Sequence, residues 1–278
     1  MFFSQKTISR SVSVSGKGIH SGKSISISLN PGLPNSGISF RFTDEYSVRL
    51  SPEHVLGKSR GTNLCWDMYE LKTIEHFLAS LSGLGISNIE VQFNDNNPEE
   101  MPILDGGAKE WCNLLLSASI CDQQIEWKPL IIKNEIVVRH DDKYIIATPA
   151  DHLKITCKTD FPILGSQEAS FVLENTNFHE EIAPARTFGF EWELEALAAQ
   201  GLAKGASLNN ALLIKQDGFS SPLNFPNEPA RHKLLDLIGD LYTLGRPILA
   251  NIEAYKPGHI INIEFAKKLY KLTEAPNT

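Results

Sequence analysis

The 278-residue sequence carries the same order of helix, strand and helix in each of its halves. In the first half, apolar residues recur at helical spacing from Tyr69 to Gly83, and the strand pattern SNIEVQF and the helical pattern DGGAKEWCNLLLSAS follow. In the second half, the helical pattern ARHKLLDLIGDLYTL precedes the strand pattern RPILANIEAY and the helical pattern HIINIEFAKKLYKL. The repeated order predicts two similar α/β units, each a sheet covered by helices.

The two halves also share a register. Aligning Gly85 with Gly245 offsets the halves by 160 residues and brings His76 opposite Asp236. Packing of the halves about a pseudo-twofold axis would let these two side chains converge. The alternative is a chance recurrence, because a helix, a strand and a helix follow one another in many α/β proteins.

Strand patterns with a period of two precede the helices in both halves. They lie at residues 7–14 and 24–29 and in KPLIIKNEIVV, KYIIATPA and LKITCKTDF. We therefore predict an α+β fold with two similar two-layer α/β sandwich domains. The domains are expected at residues 1–122 and 130–278, joined by a linker at residues 123–129.

Composition excludes several classes of function. Lys and Arg residues total 26 against 33 Asp and Glu, a formal net charge of -7, and the basic residues are scattered along the chain. A nucleic-acid-binding surface requires clustered basic residues, so no nucleic-acid partner is expected. The four cysteines form no CxxC pair, and a chain of this size needs no disulfide framework, which favours a reducing compartment.

The N-terminal stretch shows no targeting signal. MFFSQKTISRSVSVSG alternates polar and apolar residues and lacks the apolar core of a secretory signal peptide. The sequence contains no run of about 18 apolar residues, the length that a membrane-spanning helix needs. We therefore expect a cytoplasmic protein without stable membrane insertion.

One helical pattern carries a row of polar side chains. In ARHKLLDLIGD, His232, Asp236 and Asp240 follow one another at intervals of four residues. Residues four apart lie about 40° apart around a helix, so His232 and Asp236 can reach one point in space. Imidazole and carboxylate bind zinc, and a catalytic zinc takes three protein ligands, so a third ligand would come from elsewhere. The alternative is a solvent-facing stripe in which His232 caps a neighbouring group.

Two further segments offer partners for such a site. Glu75 and His76 lie together in TIEHFLASL, an apolar helical pattern in which a charged pair requires partners. One of them could bind a metal while the other takes a proton from water, although a core histidine beside a solvent-facing glutamate fits the same pattern. His259 follows Pro-Gly at a helix start, a position at which its ring would be accessible to a cleft. The alternative is that His259 is only the N-terminal residue of the helix.

Taken together, TIEH, ARHKLLDLIGD and KPGH resemble motifs of the UDP-3-O-acyl-N-acetylglucosamine deacetylases, the zinc-dependent LpxC family of lipid A synthesis. The resemblance includes SVSVSGKGIHSG, MPILDGGA and ARTFGF, so it covers essentially the whole chain in the family's order. It implies hydrolysis of the N-acetyl group of UDP-3-O-(3-hydroxyacyl)-N-acetylglucosamine to a free amine and acetate, the committed step of lipid A biosynthesis. It also implies two sandwich domains of the ribosomal protein S5 domain 2-like type, each with a small inserted subdomain.

The resemblance assigns metal ligands and acid–base residues. The family's zinc ligands fall on His76, His232 and Asp236, a set that iron(II) could also occupy. Glu75 corresponds to the general base that takes a proton from the attacking water. His259 matches a residue that acts in its protonated form, donating to the leaving amine or stabilising the oxyanion.

Four more residues are expected close to the reacting atoms. Asp240 would orient His259 and raise its pKa, because a neighbouring negative charge favours imidazolium. Thr187 of ARTFGF looks like the hydroxyl that donates to the tetrahedral oxyanion, and Phe188 looks like the ring that packs on the hexosamine. Lys233 matches a family lysine that contacts the substrate or its developing charge.

The resemblance also implies contacts to the remote parts of the substrate. Lys143 and the ring of Phe161 correspond to residues at the UDP group. FEWELEALAAQGLAKGAS predicts a short amphipathic helix, and the family's hydrophobic acyl passage falls near residues 190–215, although plain core packing fits the same pattern. Many members of the family have two consecutive glycines in this segment, whereas the chain has Gly205 and Ala206. This difference affects the expected width of the passage, so the sequence does not define the length of the acyl chain. The apolar side of this helix contains Leu194, Leu197, Leu202 and Ala203.

Two other classes of function share some of these features. A structural-zinc binding module would use the same ligands with a closed fourth position, and it would not need Glu75 and His259 beside the metal. A scaffold with a ribosomal-protein-like fold would bind RNA, which the net charge of -7 and the lack of a basic, aromatic face disfavour. The expected partner is therefore the UDP-sugar substrate, and the chain is expected to be a monomer.

Overall fold

The chain folds into mixed β-sheets and helices. Its computed structural model describes residues 3–95, 98–173 and 175–274. The strands of the first half are β1 (Ser4–Ile8), β2 (Val12–Lys17), β3 (Ser24–Pro31), β4 (Ile38–Thr43), β5 (Tyr46–Arg49), β6 (Val55–Lys58), β7 (Gly61–Trp66), β8 (Tyr69–Leu71), β9 (Ile89–Phe93) and β10 (Ile120–Glu126). Those of the second half are β11 (Leu130–Ile131), β12 (Ile136–His140), β13 (Lys143–Pro149), β14 (Leu153–Phe161), β15 (Gly165–Val172), β16 (Phe188–Phe190), β17 (Leu212–Lys215), β18 (Gly218–Phe219) and β19 (Ile248–Tyr255).

The helices separate or follow these strands. They are α1 (Glu75–Leu84), α2 (Lys109–Ser117), α3 (Phe178–Glu181), α4 (Leu194–Ala199), α5 (Glu228–Leu241) and α6 (His259–Glu274). Short 3-10 turns occur at Pro52–His54, Glu191–Glu193 and Tyr242–Leu244. The fold therefore belongs to the α+β class. No helix within the described ranges is both long and apolar enough to cross a bilayer.

Each half is centred on a sheet with a five-strand path. The order is β2-β3-β9-β4-β5 in the first sheet and β12-β13-β19-β14-β15 in the second, where β11 also pairs with β19. Along the first path β4 and β9 are parallel and the other neighbours are antiparallel. Along the second path β14 and β19 are parallel and the other neighbours are antiparallel. The two paths thus share one order and one pattern of strand direction.

Three smaller sheets complete the structure. Strand β1 pairs with β10, strands β6, β7 and β8 form an antiparallel sheet, and strands β16, β17 and β18 form a third. Residues 123–126 of the predicted linker continue strand β10. Helix α4 and the third small sheet occupy the region in which the acyl passage is expected.

The alternation of apolar and polar residues along a strand determines which face of the sheet packs on the core. In β3, Ile27 and Leu29 are fully buried and the intervening residues are less so, as a half-buried strand requires. The apolar core of the first half includes Tyr242 from the second half, and the core of the second half includes Ala79 from α1. The two cores therefore meet along α1 and α5.

Three element boundaries differ from the sequence prediction. The strand predicted at residues 7–14 is two strands, β1 and β2, because the chain bends between them. KPLIIKNEIVV likewise holds two short strands, β11 and β12. The helix predicted from Tyr69 begins at Glu75, because Tyr69–Leu71 pairs with β7 and Thr73 then turns the chain with a φ of 59°.

A glycine sets the distance between α1 and α5. A Cβ atom built at Gly239 of α5 would lie 2.0 Å from the backbone oxygen of Glu75 in α1. Close-packed interiors do not tolerate such an overlap, so any side chain at Gly239 would push the two helices apart. The glycine thereby lets the first turn of α1 lie directly against the middle of α5.

We expect Gly239→Val to lower the free energy of unfolding by about 3 kcal/mol, the upper end of the usual cost of overpacking a core. Urea denaturation followed by circular dichroism measures the change. Gly189→Val is the matched control, since a Cβ atom built at Gly189 meets no atom within 4 Å. Equal stability of the two variants would contradict the close approach of α1 and α5.

Candidate active site

Three buried side chains converge where α1 packs against α5. His76 is in α1, and His232 and Asp236 lie one turn apart in α5. The Nε2 atoms of His76 and His232 each lie 3.4 Å from Oδ1 of Asp236. That oxygen is buried and has no hydrogen-bond partner in the part of the chain that the structure describes. Two imidazole nitrogens and an unpartnered carboxylate oxygen around one point are a donor set that suits a zinc-type cation.

The other ring nitrogen of His232 fixes its tautomer. Nδ1 lies 3.0 Å from the carbonyl oxygen of Ala185 and donates to it. Nε2, which faces Asp236, is left with its lone pair. Burial lowers the pKa of His232 to about 3, so the ring is neutral at neutral pH. A neutral imidazole is the form that binds a metal.

Glu75 lies beside these groups at the start of α1. Its side chain is buried, and Oε2 accepts a hydrogen bond of 2.9 Å from the backbone amide of Thr62. Burial raises the pKa of Glu75, which makes its carboxylate a better proton acceptor. One polar side-chain atom from each of Glu75, Asp236 and His259 lies within 4.8 Å of the other two, so a second carboxylate and an imidazole lie close to Asp236.

His259 opens helix α6 and faces Asp240. Nδ1 of His259 lies 3.0 Å from Oδ2 of Asp240, and Nε2 lies 3.9 Å from Oδ2 of Asp236. Burial lowers the pKa of His259, but the neighbouring carboxylates, Asp240 foremost with Asp236 and Glu75, together outweigh burial and raise the pKa to about 9. The ring is therefore an imidazolium at neutral pH and can donate a proton.

A buried ion pair positions the ARTFGF segment. Nε of Arg186 lies 2.8 Å from Oε1 of Glu228, which is fully buried at the start of α5. The next residue, Thr187, donates its backbone N–H to the carbonyl oxygen of Gly106 at 2.7 Å. The ARTFGF and MPILDGGA segments are thus joined beside His232, whose ring donates to the carbonyl oxygen of Ala185.

Phe188 and Lys233 lie beside His232 and Asp236. The centroid of the Phe188 ring lies 5.9 Å from that of His232 and 5.7 Å from Nζ of Lys233. Nζ of Lys233 donates to Oδ2 of Asp236 at 2.8 Å. Lys233 therefore holds one oxygen of Asp236 and leaves the other toward the two histidines.

A cavity of about 590 Å³ opens over these residues. It continues along α4 and the loop after it, where the lining is mostly apolar. The sequence-predicted site residues that line it are Glu75, His76, Phe161, Thr187, Phe188, Leu194, Leu197, Ala203, His232, Lys233, Asp236 and His259.

Three predicted residues lie outside this lining. Asp240 lies behind His259 and reaches the cavity through it. Leu202 lines an adjoining cavity of about 480 Å³, which shares His20 and Arg60 with the first. Lys143 is exposed at the start of β13, and the structure does not bring it among the lining residues.

Sequence reasoning missed several residues of the cavity wall. His20 lies in the GKGIHSG motif, and the family resemblance of that motif assigns no role to its histidine. Arg60 and Glu193 form an ion pair of 2.8 Å that joins the turn after β6 to the segment before α4. No local pattern marks this pair, since its two residues are far apart in the sequence.

A buried site of two histidines and one aspartate, with a carboxylate base beside it, is typical of hydrolases that use a divalent cation. The family model described as UDP-3-O-acyl N-acetylglycosamine deacetylase, LpxC, matches residues 5–271. The chain therefore belongs to the LpxC family, and the resemblance seen in its motifs is confirmed.

Proteins named UDP-3-O-acyl-N-acetylglucosamine deacetylase are similar to the chain over nearly its full length. That of Myxococcus xanthus is 37% identical, over 96% of the chain and 86% of the relative. That of a Nitratiruptor species is 39% identical, over 99% of the chain and 95% of the relative. That of Chlamydia abortus is 38% identical, over 97% of the chain and 98% of the relative.

Proposed function

We propose that this chain hydrolyses the N-acetyl group of a UDP-3-O-acyl-N-acetylglucosamine and that zinc is its metal. The observation that carries the proposal is the buried set of His76, His232 and Asp236 beside Glu75 and His259. The names of the relatives support the choice of substrate. We further propose that the reaction is the committed step of lipid A synthesis and occurs in the cytoplasm, where the four free cysteines would stay reduced.

The metal would be held by both helices at once. Oδ1 of Asp236 and the Nε2 atoms of His76 and His232 would supply its ligands. Bound there, a divalent cation supplies Lewis-acid polarisation of the acetyl carbonyl. Zinc is the proposed cation, and iron(II) accepts the same donors.

Glu75 and His259 would move protons in opposite directions. The amide of Thr62 holds Oε2 of Glu75, whereas no hydrogen bond within the described ranges reaches Oε1. Oε1 is therefore the atom that takes a proton from the attacking water. His259, charged beside Asp240, gives a proton to the amine nitrogen as the C–N bond breaks. The products are acetate and the free amine of the hexosamine.

The remaining residues would bind charge and substrate. We assign the hydroxyl of Thr187 to the oxyanion, the ring of Phe188 to the hexosamine, and Lys233 to the substrate or its developing charge. The apolar arm along α4 would take the acyl chain, and Phe161 would stack on the uracil. Lys143 is not among the residues that line the cavity. It would therefore contact only a part of the UDP group that projects beyond the cavity.

Metal analysis of the purified chain, combined with a deacetylation assay on UDP-3-O-acyl-N-acetylglucosamine, tests this proposal. One zinc per chain and release of acetate are expected. One zinc per chain without hydrolysis would instead favour the structural-zinc binding module. Hydrolysis that survives complete removal of the metal by a chelator would contradict the metal-dependent mechanism.

Asp240→Asn should move the alkaline limb of the pH profile of kcat/KM to lower pH. Burial opposes the charge on His259, but Asp240, the strongest of the surrounding carboxylates, acts with Asp236 and Glu75 to raise the pKa to about 9. The donating imidazolium is therefore lost as the pH rises through that value. Without the charge of Asp240 the pKa falls, so the limb shifts to lower pH and the maximum rate decreases.

His259→Gln is the matched comparison for Asp240→Asn, because it removes the titrating ring. Water at a bound metal can titrate in the same range, and coupled groups give shared pKa values, so both variants must be measured. A limb that stays in place in Asp240→Asn but shifts or flattens in His259→Gln would show that Asp240 does not act through His259.

A further inference from the structure

The carboxylate of Asp240 is fully buried and is held by donors on both of its oxygens. Oδ1 accepts a hydrogen bond of 2.5 Å from the hydroxyl of Thr62. Oδ2 accepts one of 2.9 Å from Nδ2 of Asn262 and lies 3.0 Å from Nδ1 of His259. These contacts leave the carboxylate one orientation, in which Oδ2 faces the imidazole.

Thr62 contacts both Asp240 and Glu75. Its hydroxyl donates to Asp240, and its backbone amide donates to Oε2 of Glu75 at 2.9 Å. Thr62 itself is fully buried. The hydroxyl oxygen of Thr62 also lies 3.3 Å from Nδ1 of His259. One residue thus contacts the proposed base, the proposed acid and the carboxylate partner of that acid.

The small sheet of β6, β7 and β8 brings Thr62 to this position. Thr62 in β7 pairs with Gly57 in β6. A Cβ atom built at Gly57 would lie 2.1 Å from the backbone oxygen of His259, so only a glycine lets β6 lie against the start of α6. The sheet therefore packs on the segment that carries His259, with Thr62 turned toward Asp240.

We propose that Thr62 is a positioning residue for the deacetylation and sets the geometry of Glu75 and His259 together. Its hydroxyl turns Asp240 so that Oδ2 aligns Nδ1 of His259, which directs Nε2 toward the metal ligands. Its amide anchors Oε2 of Glu75 and leaves Oε1 for proton transfer. This inference rests on the proposed function, because it assigns Thr62 a role in that reaction.

The test compares two substitutions at Thr62 with one at a distant threonine. Thr62→Val keeps the shape and the amide but removes the hydroxyl, whereas Thr62→Ser keeps the hydroxyl. Thr7→Val is the matched control, since the hydroxyl of Thr7 is also buried and accepts a hydrogen bond of 2.8 Å from Gly32 in a different part of the structure. Thermal unfolding and metal content are measured for all three variants.

We expect Thr62→Val to lower kcat about 10- to 100-fold, the usual effect of losing a residue that orients a functional side chain. KM should change by less than about threefold, because substrate contacts remain. Thr62→Ser should recover most of kcat, and Thr7→Val should keep the kcat of the parent. Equal kcat in Thr62→Val and the parent, or equal loss in Thr62→Ser and Thr62→Val, would overturn the proposal.

A second variant and an NMR measurement test the positioning role if Thr62→Val does not fold or the chain does not act on the proposed substrate. If Thr62→Val does not fold, Asn262→Ala removes the donor on the other oxygen of Asp240 and must show the same loss of kcat. The proton on Nδ1 of His259, identified by its absence in His259→Gln, should give an NMR signal that shifts in Thr62→Val and persists in Thr62→Ser. An unchanged signal in Thr62→Val would overturn the positioning role even in a protein that fails to deacetylate the proposed substrate.

Discussion

His76→Ala and Asp236→Ala are each expected to abolish both stoichiometric metal and deacetylase activity while the fold stays intact. The proposed ligands come from α1 and α5, which are fixed by the cores of two different halves, so the helices do not depend on the metal to form. Removing either residue leaves two of three protein ligands, which is too few for a stable catalytic zinc site. Metal content after gel filtration, the rate of acetate release and the circular dichroism spectrum measure these effects.

The control for the ligand variants is an exposed pair of the same residue types. His152 and Asp151 form a surface ion pair of 2.7 Å between β13 and β14 and are not among the residues that line the cavity. His152→Ala and Asp151→Ala should therefore keep both metal and activity. One tightly bound zinc per chain in His76→Ala or Asp236→Ala would remove the ligand assignment.

Glu75→Ala should keep the metal and lose most turnover, by about 10²- to 10⁴-fold in kcat, the usual contribution of a general base. The metal stays because Glu75 is not among the three ligands proposed for it. Glu75→Gln is the sharper variant, since its amide oxygen can still accept the hydrogen bond from Thr62 but cannot take a proton at neutral pH.

Both Glu75 variants are compared by metal content and by steady-state kinetics. A loss in kcat with little change in KM is expected, because Glu75 acts on water rather than on the binding of the sugar or the acyl chain. Activity of Glu75→Gln within a few-fold of the parent would show that the carboxylate is only structural.

Local patterns in the sequence predict the three side chains that converge where α1 packs against α5. The spacing of four in ARHKLLDLIGD placed His232 and Asp236 on one face of a helix, and the register of the halves placed His76 opposite Asp236. The structure brings these three side chains together, with Nε2 of His76 3.4 Å from Asp236. The common strand order of the two main sheets supports our proposal that the halves are duplicates.

Contacts between distant segments could not be found in this way. Thr62 lies 178 residues before Asp240, in a strand whose sequence gives no sign of a polar partner. Asn262 follows His259 by three residues, a helical spacing that would have indicated a shared partner. The sequence pattern starts α1 too early, because the apolar residues before Glu75 suit either a strand or a helix and pairing with β7 decides between them.

Because Gly239 sets the distance between α1 and α5, the proposed activity depends on how closely the two halves pack against each other. The first half carries His76 and Glu75, and the second carries His232, Asp236 and His259. A rigid-body opening of α1 from α5 by about 1 Å would disturb all these groups at once, and displacements of that size can cost about 100-fold in rate. Engineering inside either core can therefore raise stability with little effect on turnover, whereas substitutions along the α1–α5 contact change both together.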